Sequence, residues 1–241
     1  MSLTAAPPYR RARPGTAGLL AAGLFGASFA LLATLVAARH GAPYALDRDI
    51  HQWAVDHRPP VLTALLRLVT ATGTGPLPYL CAAGAGWIAG HDIRSRLRTA
   101  AGALAFLLTA QAVRYAVMYC LARSRPPTAD WAAHASGFAF PSGHTTTSAL
   151  VAGLLALALC RKTGSAGHRW IRALLGCWAV GVGLSRICLG VHWPTDVLGG
   201  WLYALAWLSA AATWLRSVPG SHHGRPATAS GRHSPIPQDR R

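Results

Sequence analysis

Charge is scarce in this chain. Only 12% of its 241 residues are Asp, Glu, Lys or Arg, against roughly 25% in a soluble globular protein, and 52% are hydrophobic. Acid is scarcer still, with seven carboxylates against 23 Lys and Arg. Cysteine is limited to Cys81, Cys120, Cys160, Cys177 and Cys188, an odd number without CxxC spacing, so neither a disulfide framework nor a zinc motif is indicated. The five read as small buried hydrophobes.

What the chain has instead is long uncharged apolar windows, of the roughly 17–25 residues a helix needs to cross a bilayer. The first is Pro14 to Ala38, with no charge in 25 residues, and the third is Thr99 to Ala122, broken only by Arg114. The fifth runs from about Trp170 to Leu189 and the sixth from Val197 to Leu215. The second (about Thr74 to Gly90) and the fourth (Thr145 to Cys160) are short. We therefore expect an all-α, polytopic membrane protein with six transmembrane helices in a bundle. A cleavable signal peptide is the rival reading of the N-terminus, because Arg10, Arg11 and Arg13 precede an apolar run. That run is too long for a signal peptide's apolar region, so a retained helix is expected.

Basic residues orient the spans, because cytoplasmic loops are enriched in Lys and Arg. The N-terminal tail, the second-to-third loop (Arg94, Arg96, Arg98), the fourth-to-fifth connection (Arg161, Lys162, Arg169, Arg172) and the C-terminal tail hold 15 of the 23. Five of the seven acids, Asp47, Asp49, Asp56, Asp130 and Asp196, fall in the other loops. Both termini are thus expected in the cytoplasm, with a basic tail over 1–13, a membrane domain over 14–216 and a disordered basic tail over 217–241. Basic loops beside anionic headgroups account for the net charge of +16, so no nucleic-acid partner is called for. His222, His223 and His233 read as part of the solvated tail rather than as metal ligands.

Three segments on the expected outer side carry polar groups: RSRPP (Arg123 to Pro127), PSGH (Pro141 to His144) and SRICLGVHWPTD (Ser185 to Asp196). Ser142, Gly143 and His144 stand at the predicted start of the fourth helix, where unpaired N–H groups and the helix dipole favour an anion. Read alone, PSGH is equally an N-cap after a proline. Arg125 and Arg186 could clamp phosphate oxygens or simply snorkel to headgroups. Pro194 suits the first turn of the sixth helix, from which Asp196 can reach back to His192. A carboxylate on one ring nitrogen fixes the tautomer and leaves the other nitrogen free as a nucleophile. Two histidines and an aspartate would also suit a metal, but two arginines in the same cluster favour a bound anion.

Together, Arg125-Pro126, the PSGH run, and Ser185-Arg186 followed after five residues by His192 and after three more by Asp196 resemble the three-part signature of the type 2 phosphatidic acid phosphatase superfamily. The resemblance covers roughly Leu46 to Leu215. It implies a metal-independent lipid-phosphate phosphatase without a cofactor, acting at the outer face on phosphatidic acid or a related lipid, or on a polyprenyl diphosphate. Its implied roles are His192 as nucleophile, Asp196 as its orienting partner and His144 as general acid, with Arg125, Arg186, Ser142 and the Gly143 amide on the phosphoryl oxygens.

One position departs from the pattern. The family's first motif begins with a lysine seven residues before the arginine of its Arg-Pro pair, and Met118 stands there. Arg114 lies one turn deeper on the same helical face and would have to reach about 6 Å outward, so Arg123 is the expected substitute. An inactive lipid-binding descendant or transporter is the alternative. An intramembrane serine protease would leave Arg125, Arg186 and Asp196 without a task, and a haloperoxidase is disfavoured by the apolar spans.

Overall fold

The protein is described by a computed structural model covering residues 14–163 and 169–217. The basic tails and the histidines at 222, 223 and 233 lie outside the described residues, except that the last helix runs to Ser217. Eight α-helices follow in order: α1 Pro14–Ala38, α2 Ala45–Asp56, α3 Pro60–Ala71, α4 Leu77–Ala89, α5 Ile93–Leu121, α6 Gly143–Thr163, α7 Arg169–Cys188 and α8 Pro194–Ser217. A 3-10 turn, Thr128–Asp130, lies between α5 and α6, and no strand occurs among the described residues.

Local chemistry sets the helix ends. Asp92 caps α5 by accepting the Ser95 N–H at 2.9 Å, which draws Arg94, Arg96 and Arg98 into the helix. Ala122, at φ 45°, then takes a left-handed C-cap and turns the chain into the RSRPP segment. α8 opens on Pro194, whose fixed φ suits a first turn.

Four helices are long and apolar enough to cross a membrane: Thr16–Ala38, Ile93–Leu121, Gly143–Lys162 and Arg169–Cys188. The expected count of six is thus met in part. The second window shortens to α4, whose 13 residues rise only about 20 Å against a hydrocarbon core of about 30 Å. The sixth becomes α8, 24 residues long with Asp196 in its first turn. The stretch after α1, expected as an outer loop, folds instead into α2 and α3.

α6 is the centre of the bundle, packed against α4, α5, α7 and α8, while α1 lies along α8 and α3 along α7. The core joins Ala82 of α4, Leu107 and Ala110 of α5, Leu150 and Val151 of α6, and Tyr203 and Ala204 of α8. Apolar surface also points outward: Leu19, Leu20, Leu24 and Leu31 of α1 are each more than 60% exposed, an arrangement suited to acyl chains rather than water. The cysteines are corrected here. None is fully buried, and Cys120 and Cys177 are exposed on helix faces.

Small residues permit the closest contacts. A Cβ on Gly86 would lie 2.3 Å from the Thr99 carbonyl oxygen and 2.5 Å from the Ala100 Cα, so α4 and α5 touch backbone to backbone. Gly86→Ala must therefore spread the pair and is expected to cost about 1–3 kcal/mol, read as a lower Tm of the detergent-purified protein. Gly102→Ala, where a Cβ meets nothing within 4 Å, serves as the control and should leave Tm unchanged.

Candidate active site

At one end of the bundle a cavity of about 1180 Å³ opens between α3, α4, α5, the segment preceding α6, and the ends of α6 and α7. Among the described residues, Arg67, Arg114, Arg125, Arg186, His134, His144 and His192 line it, and no carboxylate does. Such a wall selects an anion. The three polar segments of the sequence meet here because α5 and α7 end at this side of the bundle while α6 and α8 begin at it.

His192 sits in the tight connection between α7 and α8 and is 1% exposed. Its Nδ1 lies 3.4 Å from Asp196 Oδ2, and the same carboxylate oxygen accepts the Trp193 N–H at 2.9 Å. With Nδ1–H directed at the carboxylate, the lone pair falls on Nε2, which lies 2.9 Å from Arg125 Nη1. Burial lowers the His192 pKa well below its ordinary value, reinforced by the charges of Arg125, Arg186 and Arg114. The imidazole is therefore neutral near pH 7 and has a usable lone pair.

Arg125 is held by backbone oxygens on two sides. Its guanidinium donates to Gly137 O (3.0 Å), Ser136 O (2.8 Å), Phe138 O (3.1 Å) and Val191 O (2.8 Å), which locks the segment preceding α6 to the His192 connection. Burial lowers its pKa from the ordinary arginine value against the pull of Asp196. Arg186, 1% exposed, donates through Nη1 to Thr70 Oγ1 at 2.9 Å, and its buried Nε has no hydrogen-bond partner.

α6 presents its first turn to this cavity through Gly143, His144 and Thr147. Gly143 and His144 occupy helix positions whose N–H groups have no intrahelical acceptor, and Thr146 N–H is the donor that reaches Ser142 O, at 3.0 Å. Ser142 itself is fully buried; its N–H donates to Asp196 O at 3.1 Å, and its Oγ accepts from Thr145 Oγ1 at 3.0 Å. It is absent from the cavity wall and ties the start of α6 to the start of α8.

The structure thus brings His192, His144, Arg125, Arg186 and Gly143 onto one cavity, with Asp196 behind His192 and Ser142 behind Gly143. Arg123, the expected substitute for the motif lysine, lies elsewhere. It is fully buried between two carboxylates, with Nη2 2.7 Å from Asp47 Oδ2 and Nη1 2.5 Å from Asp196 Oδ1; Nη1 also reaches Thr195 Oγ1 at 2.7 Å. Asp47 in turn accepts from the Thr195 N–H at 3.0 Å. Asp47 went unread in the sequence, where the only signal was its place in a stretch otherwise assigned to an outer loop.

A protein-family model described as the PAP2 superfamily matches residues 23–218. Phosphatidylglycerophosphatase B of Bacillus subtilis (strain 168) is 33% identical over 184 residues, covering 73% of this chain and 87% of that protein. An undecaprenyl-diphosphatase of Sulfolobus acidocaldarius is 34% identical over 105 residues, 42% of this chain and 47% of its own length. Among solved structures, the transmembrane PAP2 type phosphatidylglycerolphosphate phosphatase of Bacillus subtilis superposes with a TM-score of 0.69 at 26% identity, covering 83% of this chain and 98% of that one.

The position of Arg123 has a direct consequence. Arg123→Leu strands two buried carboxylates and is expected to cost about 3–5 kcal/mol, seen as a lower Tm and a smaller yield of folded protein. Arg67→Ala, at an exposed cation of the cavity rim, should stay within about 0.5 kcal/mol of wild type.

Proposed function

The chain belongs to the PAP2 superfamily and is a phosphatase, and on that footing we propose that it hydrolyses the phosphomonoester of phosphatidylglycerophosphate or a similar glycerolipid phosphate through a phosphohistidine at His192. The observation that carries this reading is the placement of the His192 imidazole. It is backed by Asp196 on Nδ1 and presents Nε2 in a cavity lined by arginines and by the start of α6.

The chemistry follows from that placement. The phosphoryl group docks against the Arg125 and Arg186 guanidiniums and the first N–H groups of α6, which stabilise charge on its equatorial oxygens. Arg125 Nη1–H moves from His192 Nε2 to a phosphoryl oxygen, which frees the lone pair. Nε2 attacks phosphorus, the N–P bond forms as the ester P–O bond breaks, and His144, which takes up a proton when the phosphate dianion offsets the surrounding arginines, gives that proton to the leaving alkoxide. Water then attacks the phosphohistidine while His144 takes up its proton, the N–P bond breaks and phosphate leaves. Asp196 holds the imidazole in register and stabilises its positive charge in both steps. Every step uses side chains of this protein, so the reaction is expected to proceed without a metal.

In the membrane, α1, α4, α5, α6, α7 and α8 are the six spans and both termini are cytoplasmic. Support comes from Arg94, Arg96, Arg98, Arg161, Lys162 and Arg169, which lie at the helix ends opposite the cavity, as cytoplasmic-side residues should. α2 and α3 then rest at the outer interface, where the exposed Leu46, Trp53, Val61, Leu65 and Leu68 meet lipid. A polyprenyl diphosphate is a second reading, favoured by the similarity to an undecaprenyl-diphosphatase and by Arg67, a further cation on the same cavity wall.

Phosphate release by the detergent-purified protein in EDTA, offered phosphatidylglycerophosphate, phosphatidic acid and undecaprenyl diphosphate, tests the reading. Release is expected to persist in EDTA and to fall at least about 1000-fold in His192→Ala, on the scale of losing a nucleophile; undiminished release by that variant would overturn the mechanism. The pH profile carries a second expectation. Protonation removes the nucleophilic lone pair, and the His192 pKa lies well below 6.5. After correction for the substrate's own second ionisation near about pH 6, kcat/KM should therefore show no acid-side loss across the ordinary imidazole range.

A further inference from the structure

Arg114 has no part in the motifs, yet it is built into the cavity. It projects from α5 and is 5% exposed. Its Nε donates to Gln111 Oε1 at 2.7 Å, its Nη1 lies 3.7 Å from the Met118 sulfur, and its Cζ stands 4.0 Å from the centre of the Tyr115 ring. A Cβ on Gly143 would fall 3.4 Å from both Cζ and Nη1, so the guanidinium lies against the first residue of α6. Gln111 continues the network by donating to Thr147 Oγ1, which donates to Gly143 O at 2.8 Å. Arg114 is thereby fixed to the turn of α6 that faces the cavity.

Every one of these partners is neutral. Among the described residues the salt bridges engage only Arg123, His51 and His192, and Arg114 has none. A buried guanidinium without a counter-charge is costly, and Arg125 and Arg186 on the same wall add repulsion. The convergence of Arg114, Arg125 and Arg186 on one cavity is offset in large part when a dianionic phosphate ester occupies it.

We propose that Arg114 is a ligand of the substrate phosphoryl group. It takes, from one helical turn deeper in the bundle, the place that the family motif gives to a lysine at position 118. The long arginine side chain covers that turn by lying along Met118, which in turn is seated on Gly137, where a Cβ would come 3.4 Å from Met118 Cε. Met118 is then part of the support for the guanidinium rather than a lost function. This inference rests on the phosphatase reading for its substrate but not for the anion site itself.

The test uses the full chain in detergent, with inorganic orthophosphate as the binding probe and lipid phosphate as the substrate. Arg114→Gln should weaken orthophosphate binding about tenfold or more and lower kcat/KM about 100-fold or more, the scale of losing one charged donor to a transition state. Adding Met118→Lys to Arg114→Gln should recover at least about tenfold of both, because an ammonium then reaches the phosphate from the motif position. Arg114→Lys, which keeps the charge one fork shorter, provides a milder variant should Arg114→Gln not fold, and should weaken orthophosphate at least about threefold. Orthophosphate affinity and kcat/KM within about twofold of wild type in a folded Arg114 variant, or a loss that Met118→Lys leaves unrepaired, would overturn the proposal. If the wild type binds orthophosphate but releases none from any lipid, the substrate reading fails on its own and the binding comparison still decides Arg114.

Discussion

The arrangement depends on one buried guanidinium. Arg123 lies just past the end of α5, fully enclosed, with Asp47 of α2 on one side and Asp196 of α8 on the other. Removing three charges from water is tolerable only when they satisfy one another with good geometry, and here each carboxylate is also fed by other donors: Asp47 by Thr195 and Tyr44, Asp196 by Trp193. The result is a rigid joint among α2, α5 and α8. Since Asp196 is also the partner of His192, the joint that fastens the helices aligns the imidazole too.

Around that joint the cavity is assembled with its electrostatics unbalanced on purpose. The carboxylates are spent behind the wall, on Arg123 and on His192, while Arg114, Arg125 and Arg186 face inward with uncharged partners: hydroxyl, amide, sulfur, carbonyl, imidazole and an aromatic ring. A wall of this kind favours an anion. The same positive surroundings, added to burial, keep His192 neutral. One cluster of cations thus both favours an anion in the cavity and disfavours a proton on His192.

Much of the architecture was legible in the chain. The ends of α1 follow from an uninterrupted apolar window, α7 keeps nearly its expected limits, and α5 ends close to the expected residue but starts six residues earlier, at the Asp92 cap. The starts of α6 and α8 were marked by PSGH and WPTD. Less was legible where pattern and length fell below what periodicity resolves. α2 and α3 are amphipathic 12-residue helices inside what reads as a loop, and α4 has about half the length of the other helices that form the core. The place of Arg123, between two carboxylates rather than on the cavity wall, was not legible for a similar reason: sequence distance from the surface says nothing about which side of the helix end a guanidinium leaves by.

The sequence by itself determined that the chain is a helical protein with membrane-crossing segments and set three short polar segments apart from them, because hydropathy, proline and motif spacing are properties of neighbouring residues. Only the tertiary structure decided which charges cancel and which stay available. Asp47 and Arg123 are 76 residues apart, Arg123 and Asp196 73 apart, and nothing local to any of them reveals that they neutralise one another while Arg114 is left turned to the cavity. Pairing of that kind is settled by the packing of α2, α5 and α8 into one low-dielectric space, where an uncompensated charge costs most.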